Sequence, residues 1–223
     1  DRDLMRTLIT LVLSLLGVAA QEVQDWPQWR GPRRDGTWNE AGVMDTLPAQ
    51  LPIKWRTPIG AGYCGPTVAD GRVFVMDRVT EPEQQERVHC LDQENGKILW
   101  THAYDCRYEI SYEAGPRCSV LVHGDRAYAL GSMGHLHCLN SETGEVLWRH
   151  DLRTEYEIRM PIWGIAASPI LESGLLIVPV SGKAGAYLVA FDPKTGEERW
   201  RGFSDRGNYS APVVVVQGGQ RVL

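Results

Sequence analysis

Trp55, Trp100, Trp148 and Trp200 recur at intervals of 45, 48 and 52 residues, and three of them close the same twelve-residue phrase. The phrase reads HCLDQENGKILW at 89–100, HCLNSETGEVLW at 137–148 and VAFDPKTGEERW at 189–200. Self-similarity at such a period marks a repeat architecture, in which each unit hides its apolar face only against its neighbours. Across the copies an Asx persists at Asp92, Asn140 and Asp192, a glycine at Gly96, Gly144 and Gly196, and the indole at Trp100, Trp148 and Trp200. The His and Cys of the first two copies become Val189 and Ala190 in the third, so that position asks for a small side chain and not for sulfur. Two echoes accompany the phrase: His102 and His150 each lie two residues past a Trp, and YEI occurs at Tyr108 and again at Tyr156.

Each unit reads as four short strands. In the second, CSVLV and RAYALG flank the turn HGD, and HLHCLN and EVLWRH flank SETG. Strands of five or six residues with turn signals about every ten positions indicate an all-β protein, and four strands per period indicate a β-propeller. The Asx bonds amides ahead of it, the glycine takes positive φ in the hairpin, and the Trp wedges between blades. Blades are expected at about 64–102, 115–150 and 164–202, with a fourth begun at 210 and cut short at Leu223. The segment around Trp55 is expected to complete another blade from the N-terminal side. The domain reading is therefore a lead-in at 21–50 and a partial, incomplete ring at 51–223, in a chain that is a fragment.

The residues MRTLITLVLSLLGVAAQ place Arg6 before an apolar run from Leu8 to Leu16 and small residues at Gly17, Ala19 and Ala20. That is the order of a secretory signal peptide, 1–20, with the residues before Met5 expected to be spurious. The run is shorter than the roughly 20 residues a membrane-spanning helix needs, so the mature chain is expected to be exported, periplasmic or extracellular, and soluble. A net charge of −5 and the lack of a Lys/Arg run exclude an electrostatic footprint for nucleic acid. The apolar fraction of 43% suits a globular chain. None of the five cysteines stands in a C-x-x-C pair, which removes zinc-knuckle and thioredoxin readings. Cys90 and Cys138 are expected as small buried hydrophobes; the disulfide state stays open.

The sequences CLDQENGKILW, CLNSETGEVLW and AFDPKTGEERW resemble the tryptophan-docking repeat of the pyrroloquinoline quinone (PQQ)-like β-propellers, a small residue, any residue, Asx, then x-x-T-G-x-x-x-W, with Asn95 replacing the usual Thr in the first. WPQWRGPRRDGTW at 26–38 is similar to the lead-in of exported members. WD repeats fit less well, because Thr101, Arg149 and Arg201 stand where they carry Asp, and the paired glycines of kelch repeats do not recur. The resemblance covers residues 25–223 and is specific for architecture. The family holds quinoprotein alcohol dehydrogenases, which bind PQQ and calcium, and the non-catalytic propeller lipoprotein of outer-membrane assembly. The enzymes carry adjacent cysteines over the quinone, and no two cysteines are adjacent here.

No Ser/His/Asp arrangement, phosphate loop or zinc signature emerges, so a hydrolase on this scaffold has no support. His135 and His137 share a strand face at chelating spacing, but His89 repeats His137 while Arg87 replaces His135, so ordinary strand surface and no metal site are expected. The candidates for a polar pocket at the channel mouth are Tyr108, Glu109, Tyr112, Glu113, Arg117, Tyr156, Glu157 and Arg159, in the segments that join one blade to the next. The function expected is a non-catalytic binding or scaffolding propeller for a protein or small polar ligand, without a cofactor. The alternative is a PQQ- and calcium-dependent dehydrogenase of an alcohol or sugar.

Overall fold

In the computed structural model, which describes residues 24–39, 46–110, 114–204 and 209–223, the repeat becomes three four-stranded antiparallel sheets. The first holds β1 (Thr67–Ala69), β2 (Arg72–Val79), β3 (Gln85–Asp92) and β4 (Ile98–Asp105) in chain order. The second holds β5 (Leu121–His123), β6 (Arg126–Leu130), β7 (His135–Asn140) and β8 (Val146–Asp151). The third holds β9 (Ile170–Glu172), β10 (Leu175–Pro179), β11 (Leu188–Phe191) and β12 (Glu198–Gly202). The hairpin β13 (Val215–Gln217) and β14 (Gln220–Val222) follows, and one short helix, α1 (Leu152–Glu155), leaves β8. The molecule is all-β, with the blade sheets of an incomplete propeller. The signal-peptide expectation at 1–20 lies outside the described residues.

Strand limits differ from the sequence reading in one systematic way. CSVLV contributes only Leu121 and Val122 to the ladder, where β5 continues to His123, and the outer strands β4 and β8 run on to Asp105 and Asp151. Cys118, Ser119 and Val120 are buried all the same, because they carry the chain into the junction between sheets. There β1 approaches β5, and the Ser119 amide donates to Ser168 Oγ ahead of β9. The first strands of successive blades thus converge, as the inner edges of a propeller must.

The repeated phrase builds the joint between blades. The indole N–H of Trp100 donates to the Ser141 carbonyl (3.1 Å), that of Trp148 to Pro193 (3.1 Å) and that of Trp55 to Gln93 (2.8 Å), in each case across to the next sheet. Each ring covers the turn glycine there: a Cβ added to Gly144 would sit 2.7 Å from the Trp100 ring, one on Gly196 2.7 Å from Trp148, and one on Gly96 2.4 Å from Trp55. These glycines also hold φ of 72° to 76°, so the turn excludes a side chain on two counts. In the ladder Trp100 faces Cys90, Trp148 faces Cys138 and Trp200 faces Ala190, each beside a bulge. A small residue opposite leaves room for the indole to lie flat. Cys90 and Cys138 are fully buried, and all five cysteines are free thiols.

The Asx of each phrase caps its own turn. Asp92 Oδ1 accepts from the amides of Glu94 and Asn95, Asn140 Oδ1 from Glu142 and Thr143, and Asp192 Oδ1 from Lys194 and Thr195, at 2.8–3.1 Å. The residue two past the Trp adds a second latch at two joints. Thr57 Oγ1 donates to the Gly96 carbonyl (2.6 Å), and His150 Nε2 lies 2.7 Å from that of Gly196. Apolar side chains fill the space between: Phe74, Met76, Val88 and Cys90 meet Val120, Ala127, Ala129 and Leu139, and Leu136, Cys138 and Leu152 meet Leu176, Val178, Val189 and Phe191.

Truncating Trp148 to Ala removes this contact and is expected to cost about 3–5 kcal/mol. Gly196→Ala, which forces a methyl against Trp148 at positive φ, is expected to cost about 2 kcal/mol or more. Urea unfolding of the two variants checks both values, and a double variant well short of the sum would show that they break one joint.

Candidate functional site

The segments linking β4 to β5 and β8 to β9 pass the end of the sheets opposite the repeated turns, and the sequence candidates lie on them. Tyr108 is anchored, not presented. Its hydroxyl donates to Glu86 Oε1 (2.8 Å), its carbonyl accepts from Arg78 Nη2 (2.7 Å), and the Arg78 guanidinium lies over its ring at 4.1 Å. Tyr156, its counterpart, is buried and donates to Glu198 Oε2 (2.7 Å), with Arg201 over its ring. Glu157 pairs with Lys183 at the surface (2.7 Å). Arg117 donates to the Gly115 carbonyl (2.7 Å) and stacks on Tyr63 at 5.0 Å. Arg159 is exposed. Tyr112 and Glu113 lie outside the described residues. The six described candidates divide: Tyr108 and Glu109 share a groove, Arg117 turns to Tyr63, and Tyr156 and Glu157 turn to the third sheet.

The groove that Tyr108 and Glu109 share is open and about 910 Å3 in volume. Its other walls are Arg107, Ile110, Met133, Arg153, Met160, Pro161 and Ile162, which the sequence reading missed. Ile162 is 73% exposed. Arg107 and Arg153 are both exposed, and neither carries an ion pair with a described residue. The floor is a buried polar network. Glu86, inaccessible to solvent, accepts from Tyr104 Oη (2.7 Å), from Tyr108 Oη and from the Ser132 amide, while Ser132 Oγ donates to the Gly115 carbonyl (2.9 Å). Three segments are held by one carboxylate. The signal was present in the sequence: Glu86 stands where the phrase register places Gly134 and Ala186 in the other blades.

A second buried carboxylate, Asp77, serves the opposite face of the first sheet. It takes both forks of Arg87 (2.8 and 2.5 Å) and the Gly60 amide (2.5 Å), while His89 Nε2 lies 3.1 Å away, poorly aligned. Burial alone would raise its pKa, but the close contact with His89 and the bonds from Arg87 and Gly60 outweigh that and hold it well below the ordinary 3.8. Asp77 accepts three hydrogen bonds with His89 close beside it, and Glu86 accepts from two hydroxyls and from the Ser132 amide, shared between its two oxygens. These two carboxylates consequently do not fit a calcium ion, which needs free oxygen lone pairs.

His135 and His137 do share a face, but His137 is buried, contrary to the surface expectation, because the Tyr104 ring packs on both imidazoles at 5.2 and 4.5 Å. His102 meets His137 edge-on at 4.9 Å, and His102 Nε2 and His137 Nδ1 are buried without partners. Burial, helped by His102, His135 and Arg149, lowers the His137 pKa to about 3, and burial with Arg149 lowers that of His102. Neutral rings tolerate a bare acceptor nitrogen where a charged ring would not.

Blade sheets joined by indole and glycine define a β-propeller of the PQQ-like repeat type. A family model described as outer membrane protein assembly factor BamB matches residues 37–222, and the chain belongs to that family. No curated protein matches it. Among solved structures it is similar to a quinohemoprotein alcohol dehydrogenase from Comamonas testosteroni, at 21% identity and TM-score 0.58 over 83% of this chain and 28% of that one. It is also similar to BamB from Moraxella catarrhalis, at 17% identity and TM-score 0.47 over 68% and 40%. The chain thus spans less than half the length of either structure. The family contains both a non-enzymatic assembly factor and quinone enzymes, and the likeness to the enzyme is one of fold.

Two pH effects follow. His137, depressed below 6.5 on folding, makes the unfolded chain bind more protons between its two values, so stability falls as pH drops from 6.5 toward 3. His137→Phe is expected to flatten that slope, a gain over wild type of about 2 kcal/mol near pH 4.5. Asp77, depressed below 3.8, contributes stability above that pH that is lost as pH falls toward its folded value. Asp77→Asn is expected to cost about 3 kcal/mol at pH 7, with the gap to wild type closing below pH 3.8. Urea titrations from pH 3 to 7.5 check both.

Proposed function

We propose that this chain is the recognition part of an exported, non-catalytic propeller that displays the groove between its first two blades to a protein partner, with a small polar ligand as the lesser case, and that it works without a cofactor. The observation that carries the reading is the chemistry of the groove. Apolar Met133, Met160, Pro161 and Ile162 lie beside Glu109 and two guanidiniums that form no ion pair with a described residue, a mixture suited to a protein surface. Its walls are fixed from below by Glu86, which gives the rigidity that recognition requires. The sequence order of a signal peptide and a family described by outer-membrane assembly support residence in the periplasm or outside the cell. No helix among the described residues is long and apolar enough to cross a membrane.

The test has two arms on the full-length protein. A photo-crosslinker at Ile162 is expected to trap one dominant protein in the cell envelope, with Arg107→Glu/Arg153→Glu lowering the yield about tenfold and leaving the unfolding midpoint in place. In the second arm, protein mixed with PQQ, calcium, an electron-accepting dye and a panel of alcohols and sugars is expected to leave the dye oxidised. Turnover there would replace the binding reading by the dehydrogenase.

A further inference from the structure

The inner edge of a propeller blade ordinarily leaves alternate amides and carbonyls of its first strand facing the central channel. Here the chain itself takes both backbone groups of Val68 in β1 and the amide of Val122 in β5. Trp26 and Val68 exchange both backbone hydrogen bonds at 2.9 Å, which adds a strand-like contact to β1. One residue on, the Pro27 carbonyl accepts from the Val122 amide of β5 (2.8 Å). The segment then turns on itself through Arg34 N–H to the Gly31 carbonyl and Gly36 N–H to the Arg30 carbonyl. That turn sends Arg34 into the third blade, where its Nη1 donates to the Pro169 carbonyl (2.8 Å) and its Nη2 to Ser168 (3.2 Å), just ahead of β9. Blades one, two and three are touched in order.

The segment is built for this and not merely laid against the surface. Arg34 is 4% exposed, shares Nη1 with Gln28 Oε1 (3.1 Å) and lies 5.1 Å from the Trp29 ring centroid. Burial beside Arg30 lowers its pKa to about 10, so it remains a cation at neutral pH, held by carbonyl oxygens in place of a carboxylate. Trp26 stacks on Trp38 at 5.4 Å, and Gly31 passes so close under Trp26 that a Cβ would approach its ring to 2.7 Å. The Asp70 amide also donates to Asp25 (3.1 Å), which fixes the start of the segment at the β1–β2 turn.

We propose that residues 24–38 are an internal clamp: by capping the inner-edge backbone of β1 and β5 and gripping the entry to β9 with Arg34, they lock three blades into one arc and withhold those groups from any ligand in the channel. Recognition is thereby directed to the crossing segments. The clamp stands whether or not the groove binds the partner proposed above.

Amide hydrogen exchange on the full-length protein decides it. Without the clamp, the Val68 and Val122 amides face open channel and exchange freely; with it, both exchange as slowly as amides inside β2 and β6. Arg34→Met is expected to speed exchange about tenfold at Val122 and within 24–38, the loss expected for hydrogen bonds to a charged group, while β7 and β8 are unchanged. Free exchange of Val68 and Val122 in the wild-type protein overturns the proposal, and that measurement decides even if the variant does not fold. Slow exchange in the wild type that Arg34→Met leaves untouched would remove Arg34 from the clamp and overturn its reach to the third blade.

Discussion

The structure depends on an indole lying flat on a glycine. A blade alone has two apolar faces and no interior, so it persists only if each neighbour fits it without a gap. The Trp supplies most of that fit and the glycine permits it, since any side chain on the turn would lift the ring away. The small residue across the ladder completes the seat. Because the indole N–H is tied to a carbonyl on the next sheet, the contact also sets the distance between blades and not merely their attraction. Repeating it at Trp55, Trp100 and Trp148 makes the arc regular.

Onto that regular frame the first blade adds two buried acids that no other blade copies. Glu86 faces the second blade and Asp77 faces away from it, each wholly satisfied by its neighbours. A carboxylate costs several kcal/mol to bury and returns that only when every lone pair finds a donor. Such groups favour one arrangement over near alternatives, which suits a place where a loop must be held in a defined position. The crossing segment at Tyr108 is that place.

The architecture was legible because the repeat is written in local terms: Asx, Gly and Trp sit within nine residues and act on one turn. The bonds made by the candidate site were not legible, because each joins residues from distant stretches. Tyr108 finds Glu86 and Tyr156 finds Glu198, 22 and 42 positions apart. The sequence places both YEI tyrosines at a channel-mouth pocket, whereas the fold turns their hydroxyls to Glu86 and Glu198. Glu86 itself could have been found by asking where the register of the repeat is broken. Arg107, Met133 and Arg153 could not, since nothing in their spacing shows that they meet.

The five thiols carry a chemical consequence of the same packing. Cys90 and Cys138 lie under the indoles, and Cys64 Sγ is held between the amide and carbonyl of Met76. Burial pushes Cys64 and Cys90 up to about 11 and Cys138 to about 12, and raises Cys106 and Cys118 as well. Near pH 7 these side chains are held as thiols, and the thiolate is the form that reacts with oxidants and attacks disulfides. Burial thus disfavours the reactive form of all five thiols in the folded chain. The same thiols are more reactive before the blades close over them.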